Sequence, residues 1–446
     1  MFLRIYSFSL LFIGLIACTS TKEIVKTEAE MSWDDEIKSI IYSDSIFRNS
    51  HTGLLVKPID SEQSIIDIKS DQYFTPASNT KLLTFYTSLN VLPDRINGLK
   101  YYETPDSLII WGTGDPSFLN GHWTVNDFIG AFLRSSTKKI FISNSNFHDV
   151  HYGSGWSWDD WNYGYQADKH AFPMYGNMVR FSKPTQSSNL EVIPNYFKTL
   201  TLPNPESQSR TIMRDERSNL FYFDLNKLDT IYKVNRFVPY LTSFDIQAQL
   251  LSGYLGREVE VIDYPDHISK AKTLKTISAD SLYMQLLQPS DNFVAEQLLL
   301  NCGSELFDTM NIRKVIEWAD ENLFDEMPYD YQWVDGSGLS RYNITTPANM
   351  VHVLKLIYQK VDQKRLFTLL PTSGESGTIR NLYISEKPFI HAKTGSLRNN
   401  HSLSGYLIGD SGQVYVFSFM NSNYLTSNSE LKKGMDRVLR ILKKNL

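Results

Sequence analysis

Ser78 and Lys81 stand one helical turn apart in Phe74–Phe85, a stretch that reads F-T-P-A-S-N-T-K-L-L-T-F. Pro76 suits the first turn of a helix, where its missing N–H has no intrahelical partner to lose. Leu82, Leu83, Phe85 and Tyr86 follow as an apolar stripe at helical spacing. A hydroxyl and an amine three residues apart on such a helix share a face and come within hydrogen-bond reach. The positive end of the helix favours negative charge on a substrate that the hydroxyl attacks. The spacing alone has little weight. S-x-x-K also occurs at Ser135/Lys138, Ser136/Lys139, Ser269/Lys272 and Ser429/Lys432, where a solvated helix face is the plain reading.

Two further signals give the pair its meaning. Pro289 breaks the mostly helical stretch 278–301, and S-D-N follows at once, Ser290 to Asn292. Phe389–His391 leads into K-T-G-S, Lys393 to Ser396. Two alternating strands come next, 402–408 and 413–420, joined as a hairpin through Gly409–Gly412. S-x-N recurs at Ser88/Asn90 and Ser187/Asn189, but K-T-G occurs once. S-x-x-K, S-D-N and K-T-G in this order are the set shared by penicillin-binding proteins and class A β-lactamases. Roughly two hundred residues separate the first motif from the second, far more than a compact β-lactamase leaves there.

That gap resembles the low-molecular-mass class C penicillin-binding proteins, the D-Ala-D-Ala carboxypeptidase/endopeptidase family of serine peptidases, whose members carry extra domains between the first two motifs. G-D-P-S at Gly114–Ser117, G-W-S-W-D-D at Gly155–Asp160, D-G-S-G-L-S-R-Y-N at Asp335–Asn343, G-T-I at Gly377–Ile379 and A-K-T-G-S-L resemble family landmarks in family order. The likeness runs over residues 50–421. Ser396 stands where the family often has Thr, and the inserted region is tyrosine-rich and diverges.

The resemblance implies an α+β fold: a β-lactamase/transpeptidase-like domain of helices on an antiparallel sheet, formed by 33–92 and 269–446, with mainly-β inserted domains at 93–268. It implies Ser78 as nucleophile and Lys81 as base, since no His lies in any motif and only a neutral amine accepts a proton. Lys393 and burial are expected to lower the pKa of Lys81. Ser290 would relay a proton to the leaving amine, and Asn292 would hold the substrate amide. Lys393 and Thr394 would bind a terminal carboxylate, and Gly395 would let substrate add as a β-strand. The N–H groups of Ser78 and Ser396 would form the oxyanion hole. Asp160 would meet a cationic group of the stem peptide, though its loop reads equally as packed aromatics. Asp335, Ser337 and Arg341 would shape the pocket floor, though Gly336 and Gly338 favour a structural turn. Substrates would be peptidoglycan stem peptides, and β-lactams would be covalent inhibitors. The rivals are a β-lactamase-like serine esterase and a non-catalytic peptidoglycan-binding lipoprotein.

The elements around these motifs fit an exported globular chain. Its 446 residues allow roughly two to four domains. The composition is 42% hydrophobic and 21% charged, and a net charge of −5 with dispersed Lys and Arg excludes a nucleic-acid footprint. Arg4 followed by the apolar run Ile5–Ala17 reads as a signal peptide over 1–17, too short to span a bilayer. It ends in L-I-A-C, which resembles a bacterial lipobox, with Cys18 as the lipidation site and 18–32 as a polar tether. Lipid on Cys18 would anchor the chain to a membrane on the periplasmic or wall side. Cys302 is then unpartnered and reads as a buried inert thiol. No Cys, His or acid cluster has ligand spacing, so neither metal nor cofactor is expected. The basic helix 427–446 reads as packed on the hairpin rather than on a membrane.

Overall fold

The computed structural model describes residues 31–123, 127–183, 190–204, 212–224, 234–264 and 266–446. Residues 1–17 and Cys18 lie outside the described residues. One five-stranded antiparallel sheet is made from both ends of the chain, in the order Ile390–Leu397, Asn400–Ile408, Val414–Ser422, His51–Pro58, Ile66–Ile68. Its middle strands are almost wholly buried because helices cover both faces. Side-chain direction alternates accordingly. Leu54, Val56, Leu403, Leu407, Phe417 and Phe419 face a layer made by the helices Trp33–Ser43 and Asn428–Asn445. Leu55, Tyr406, Val416 and Met420 face the larger helical layer on the other side. The basic C-terminal helix buries Leu431, Met435, Val438, Leu439 and Leu442 against this sheet.

The helical layer is centred on Asn292–Phe307, buried from Phe293 to Ser304. It packs against Lys81–Val91, Ala279–Leu287 and Ile312–Asn322. Asp291 caps it, accepting the Val294 N–H, and the helix starts directly after the Pro289 break.

The inserted region has its own core, from Leu99 to Val259. Its main sheet runs Val259–Ile262, Lys139–Ser143, Ser107–Gly112, Arg95–Glu103, Lys272–Ser278. The first three are parallel and are linked through the helices Phe128–Ser135 and Phe244–Leu255, so the insert adds helical crossovers to its strands. Strand Lys272–Ser278 pairs with Arg95–Glu103, so this sheet extends past residue 268. Two three-stranded sheets, at 178–239 and 201–223, complete the insert. The insert is fixed to the central helix by side-chain amides. Gln297 donates to the carbonyls of Gly114 and His170, and Asn301 to those of Asn97 and Thr113.

Candidate active site

Ser78 sits in a 3-10 turn, Ala77–Thr80, that feeds directly into the helix Lys81–Val91. The expected helix is present, but its first turn is tighter and Ala77 takes a positive φ of 48°. This turn is gripped between two glycines. A Cβ on Gly338 would lie 1.9 Å from the Ala77 carbonyl oxygen, and one on Gly395 would lie 2.4 Å from that of Pro76 and 3.0 Å from the Ser78 nitrogen. Neither approach is open to a residue with a side chain. Gly395 thereby lays the strand Ile390–Leu397 beside the Ser78 backbone. Asn79 locks the contact: its amide donates to the Lys393 carbonyl at 2.6 Å and its oxygen accepts from Ser404.

The three motifs converge on one cleft. Lys81 Nζ donates to Ser78 Oγ at 3.0 Å, to Asn292 Oδ1 at 2.6 Å and to the Ser337 carbonyl at 2.6 Å. Ser78 is part-exposed, whereas Lys81 and Lys393 are fully buried. Lys393 Nζ donates to Ser290 Oγ at 2.7 Å and to the Thr394 carbonyl at 2.8 Å. Ser290 reaches Lys393 from a strained backbone, with φ at 67°.

Burial pushes Lys81 down to about 8, against the pull of Asp335, Glu296 and Asp291 in the other direction. Lys393 was expected to lower Lys81, and the repulsion between the two amines is mutual: burial first and Lys81 second hold Lys393 well below the usual lysine range. Neither amine has a carboxylate within salt-bridge distance among the described residues, so desolvation wins for both.

The remaining expected residues fall in three groups. Thr394 is buried and donates from Oγ1 to Thr378 Oγ1 at 2.7 Å. Ser396 is exposed, and its Oγ pairs with Nδ1 of His401, which burial pushes down to about 3 and so keeps neutral. Asn292 already spends both ends of its amide, on Lys81 and on the Tyr165 carbonyl. Each end keeps one further bond for a substrate amide, a second lone pair on Oδ1 and a second N–H on Nδ2. Ser290 is hydrogen-bonded to Lys393 and not to Lys81, the residue from which its expected relay would start.

Asp160 lies in the turn Trp158–Asp160, and its charge, after burial, raises the pKa of the Tyr165 hydroxyl, while the Tyr165 carbonyl holds Asn292. Asp160 thus borders the cleft through Tyr165. Arg341 is exposed. Its backbone N–H binds the Gly155 carbonyl, which ties the 335–343 loop to the aromatic loop. Asp335 is structural in its contacts, as the glycines suggested. It accepts from the N–H groups of Gly338 and Ser340, the Asn343 amide and the Trp156 indole.

Sequence reasoning gave no role to Asn79, Thr378 or Glu296. Asn79 lay inside the first motif and Thr378 inside G-T-I. Glu296 is four residues past Asn292 on one helix, a spacing that puts both on one face.

The sequence profile of the D-Ala-D-Ala carboxypeptidase 3 (S13) family matches residues 34–197 and 265–445. The chain belongs to this family. It is 24% identical to the D-alanyl-D-alanine carboxypeptidase DacB of Haemophilus influenzae over 437 residues, covering 86% of this chain and 88% of that protein. It is 25% identical to penicillin-sensitive carboxypeptidase A of Dictyostelium discoideum over 448 residues, covering 85% and 84%. The fold matches the crystal structure of penicillin binding protein 4 from H. influenzae with a TM-score of 0.70 at 19% identity, covering 91% of this chain and 97% of the other. The resemblance first read from the motifs is therefore the chain's family, and the α+β transpeptidase-like fold is its fold.

Proposed function

We propose that this D-Ala-D-Ala carboxypeptidase trims peptidoglycan stem peptides through an acyl-enzyme on Ser78. One observation carries the assignment: a buried lysine amine, lowered to about 8, lies 3.0 Å from a part-exposed serine oxygen. About one Lys81 in ten is then neutral at pH 7 and free to accept a proton. Ser78 Oγ attacks the carbonyl of the penultimate D-Ala, and its proton passes to Lys81 Nζ. The oxyanion forms between the N–H groups of Ser78 and Ser396, where each donor is worth roughly 10²–10³ in rate. Collapse breaks the C–N bond as Lys81 Nζ passes the proton it took from Ser78 to the departing amine, which Ser290 Oγ, held by Lys393, steadies; Lys81 is then neutral again. Lys393 and Thr394, the latter steadied by Thr378, hold the terminal carboxylate. Water then attacks the ester, with Lys81 again taking the proton, and regenerates Ser78.

The same steps on a cross-link, where the leaving amine belongs to a second stem, give D,D-endopeptidase activity. A relative named D-alanyl-D-alanine endopeptidase is 33% identical over 108 residues, about a quarter of this chain. Asp160 and Arg341 would meet the stem side chain. A β-lactam acylates Ser78 in place of peptide. The L-I-A-C quartet supports export and anchoring through lipid on Cys18. Detergent partition of the wild-type and Cys18→Ala proteins tests that part.

Intact mass after incubation with penicillin tests the chemistry. The wild-type protein gains one penicillin mass that persists, and Ser78→Ala gains none and releases no D-alanine. An unaltered rate of D-alanine release by Ser78→Ala would end the proposal. Rapid loss of the adduct would favour the β-lactamase-like esterase.

A further inference from the structure

Among the buried acids that the mechanism does not use, one stands on the central helix behind the cleft. Glu296 is 1% exposed and lies one turn past Asn292 on the central helix. Its Oε1 accepts the Ser337 N–H at 2.7 Å and its Oε2 accepts the Gly336 N–H at 3.2 Å. The residue it grips is the one whose carbonyl accepts Lys81 Nζ at 2.6 Å. The neighbouring Gly336 carbonyl accepts from Thr84 Oγ1 at 2.6 Å, one turn past Lys81 on the catalytic helix. Glu296 thus holds, from behind, the backbone that faces the amine.

We propose that Glu296 is a positioning residue for the lysine base: it fixes the Ser337 carbonyl against Lys81, and its charge sets how readily that amine gives up its proton. This rests on the reading of Lys81 as base. Three charged groups face Glu296: Asp335 from the loop, Lys169 from the insert and Lys81 from the catalytic helix. Burial first and Asp335 second raise the Glu296 carboxyl well above the usual carboxylate range, while Lys169 and the two N–H groups pull it back. Lys169 is itself buried and paired with Asp149 at 2.8 Å. The carboxyl therefore changes charge near neutral pH, and its negative form opposes the desolvation that lowers Lys81. Through Lys169 the inserted region acts on the base without touching substrate.

The test is the pH dependence of acylation by a fluorescent penicillin, using the full chain. In Glu296→Gln the midpoint of the rising limb moves to lower pH by about half a unit or more, roughly a threefold gain at low pH relative to its own maximum. The maximal rate itself falls as the clamp loosens. Lys169→Gln keeps a hydrogen bond to Asp149 but removes the cation. It shifts the midpoint the same way by less, because Glu296 stays protonated to higher pH. Glu296→Asp keeps the charge and gives no acid shift. A midpoint unmoved in Glu296→Gln, or in Lys169→Gln should the first variant be recovered unfolded, overturns the proposal. A lost rate with no shift would mark Glu296 as merely structural. Acylation of Ser78→Ala, by contrast, would sink the reading of the site itself.

Discussion

Two buried polar centres stand back to back across Ser337, and they are built to opposite ends. On one side lies the Asp335 loop. Each oxygen of its carboxylate takes at least two donors, from Gly338, Asn343, Ser340 and Trp156. Such a centre is fully satisfied, and full satisfaction makes a loop rigid. On the other side lies the cleft, where two lysine amines are buried against hydroxyls, an amide and carbonyls, with no carboxylate of the described residues in contact. There the Lys81 donors are all paired but its charge meets no counter-charge, and burial lowers the amine to about 8. The rigid centre carries the reactive one: the Ser337 N–H belongs to Glu296 and its C=O to Lys81. Strain and desolvation in the cleft persist because the loop behind them cannot relax.

The largest effect on this contrast comes from Lys81→Met, which removes the base and keeps the bulk. Acylation by penicillin falls about 10³-fold, within the range for loss of a general base, while the melting temperature holds or rises. A Lys81→Met protein with near-normal acylation would break the division of labour. Asp335→Ala strikes the other side. It leaves at least four buried donors unpaired and costs about 3–5 kcal/mol of stability, read from urea unfolding. Equal stability would mean that the loop is not the support. Gly338→Ala tests how tightly the loop presses on the Ser78 turn. Its Cβ meets the Ala77 carbonyl oxygen at 1.9 Å from a φ of 80°, so stability drops by about 2–3 kcal/mol and the acylation rate drops with it.

The pH dependence sharpens the same contrast. The base works when neutral, so acylation rises with pH and levels off above about 8, roughly tenfold from pH 7. The same lowering acts on stability. Between about 8 and the ordinary lysine value of 10.5, the unfolded chain binds the Lys81 proton and the folded one does not. The Lys81 contribution therefore makes the fold gain stability as pH rises through that window. The smallest effect expected is Thr378→Val, which deprives Thr394 of its hydroxyl partner. It raises KM for a D-Ala-D-Ala peptide about three- to tenfold, with kcat nearly unchanged.

Much of this protein was legible in its residues because the signals were local. Pro289 ended one helix and Asp291 capped the next, so the break that carries S-D-N could be read from the chain. Alternation in 402–408 and 413–420 gave the hairpin; Gly395 was read as room for substrate, and its close packing on the Ser78 turn came only from the structure. The insert was less legible. Its short strands pair across long separations, and its parallel crossovers depend on partners that no local period announces.

The sequence by itself picked out the groups proposed to react: a serine, two lysines and an amide in family order, on elements whose periods and breakers are written locally. Only the tertiary structure decided how they behave. The depth of the two amines, the choice of Ser290 for Lys393 rather than Lys81, and the placement of Glu296 behind Ser337 arise where segments hundreds of residues apart exclude water together. Desolvation belongs to the assembled cleft, not to any one of its residues, and it brings an ordinary lysine down to about 8.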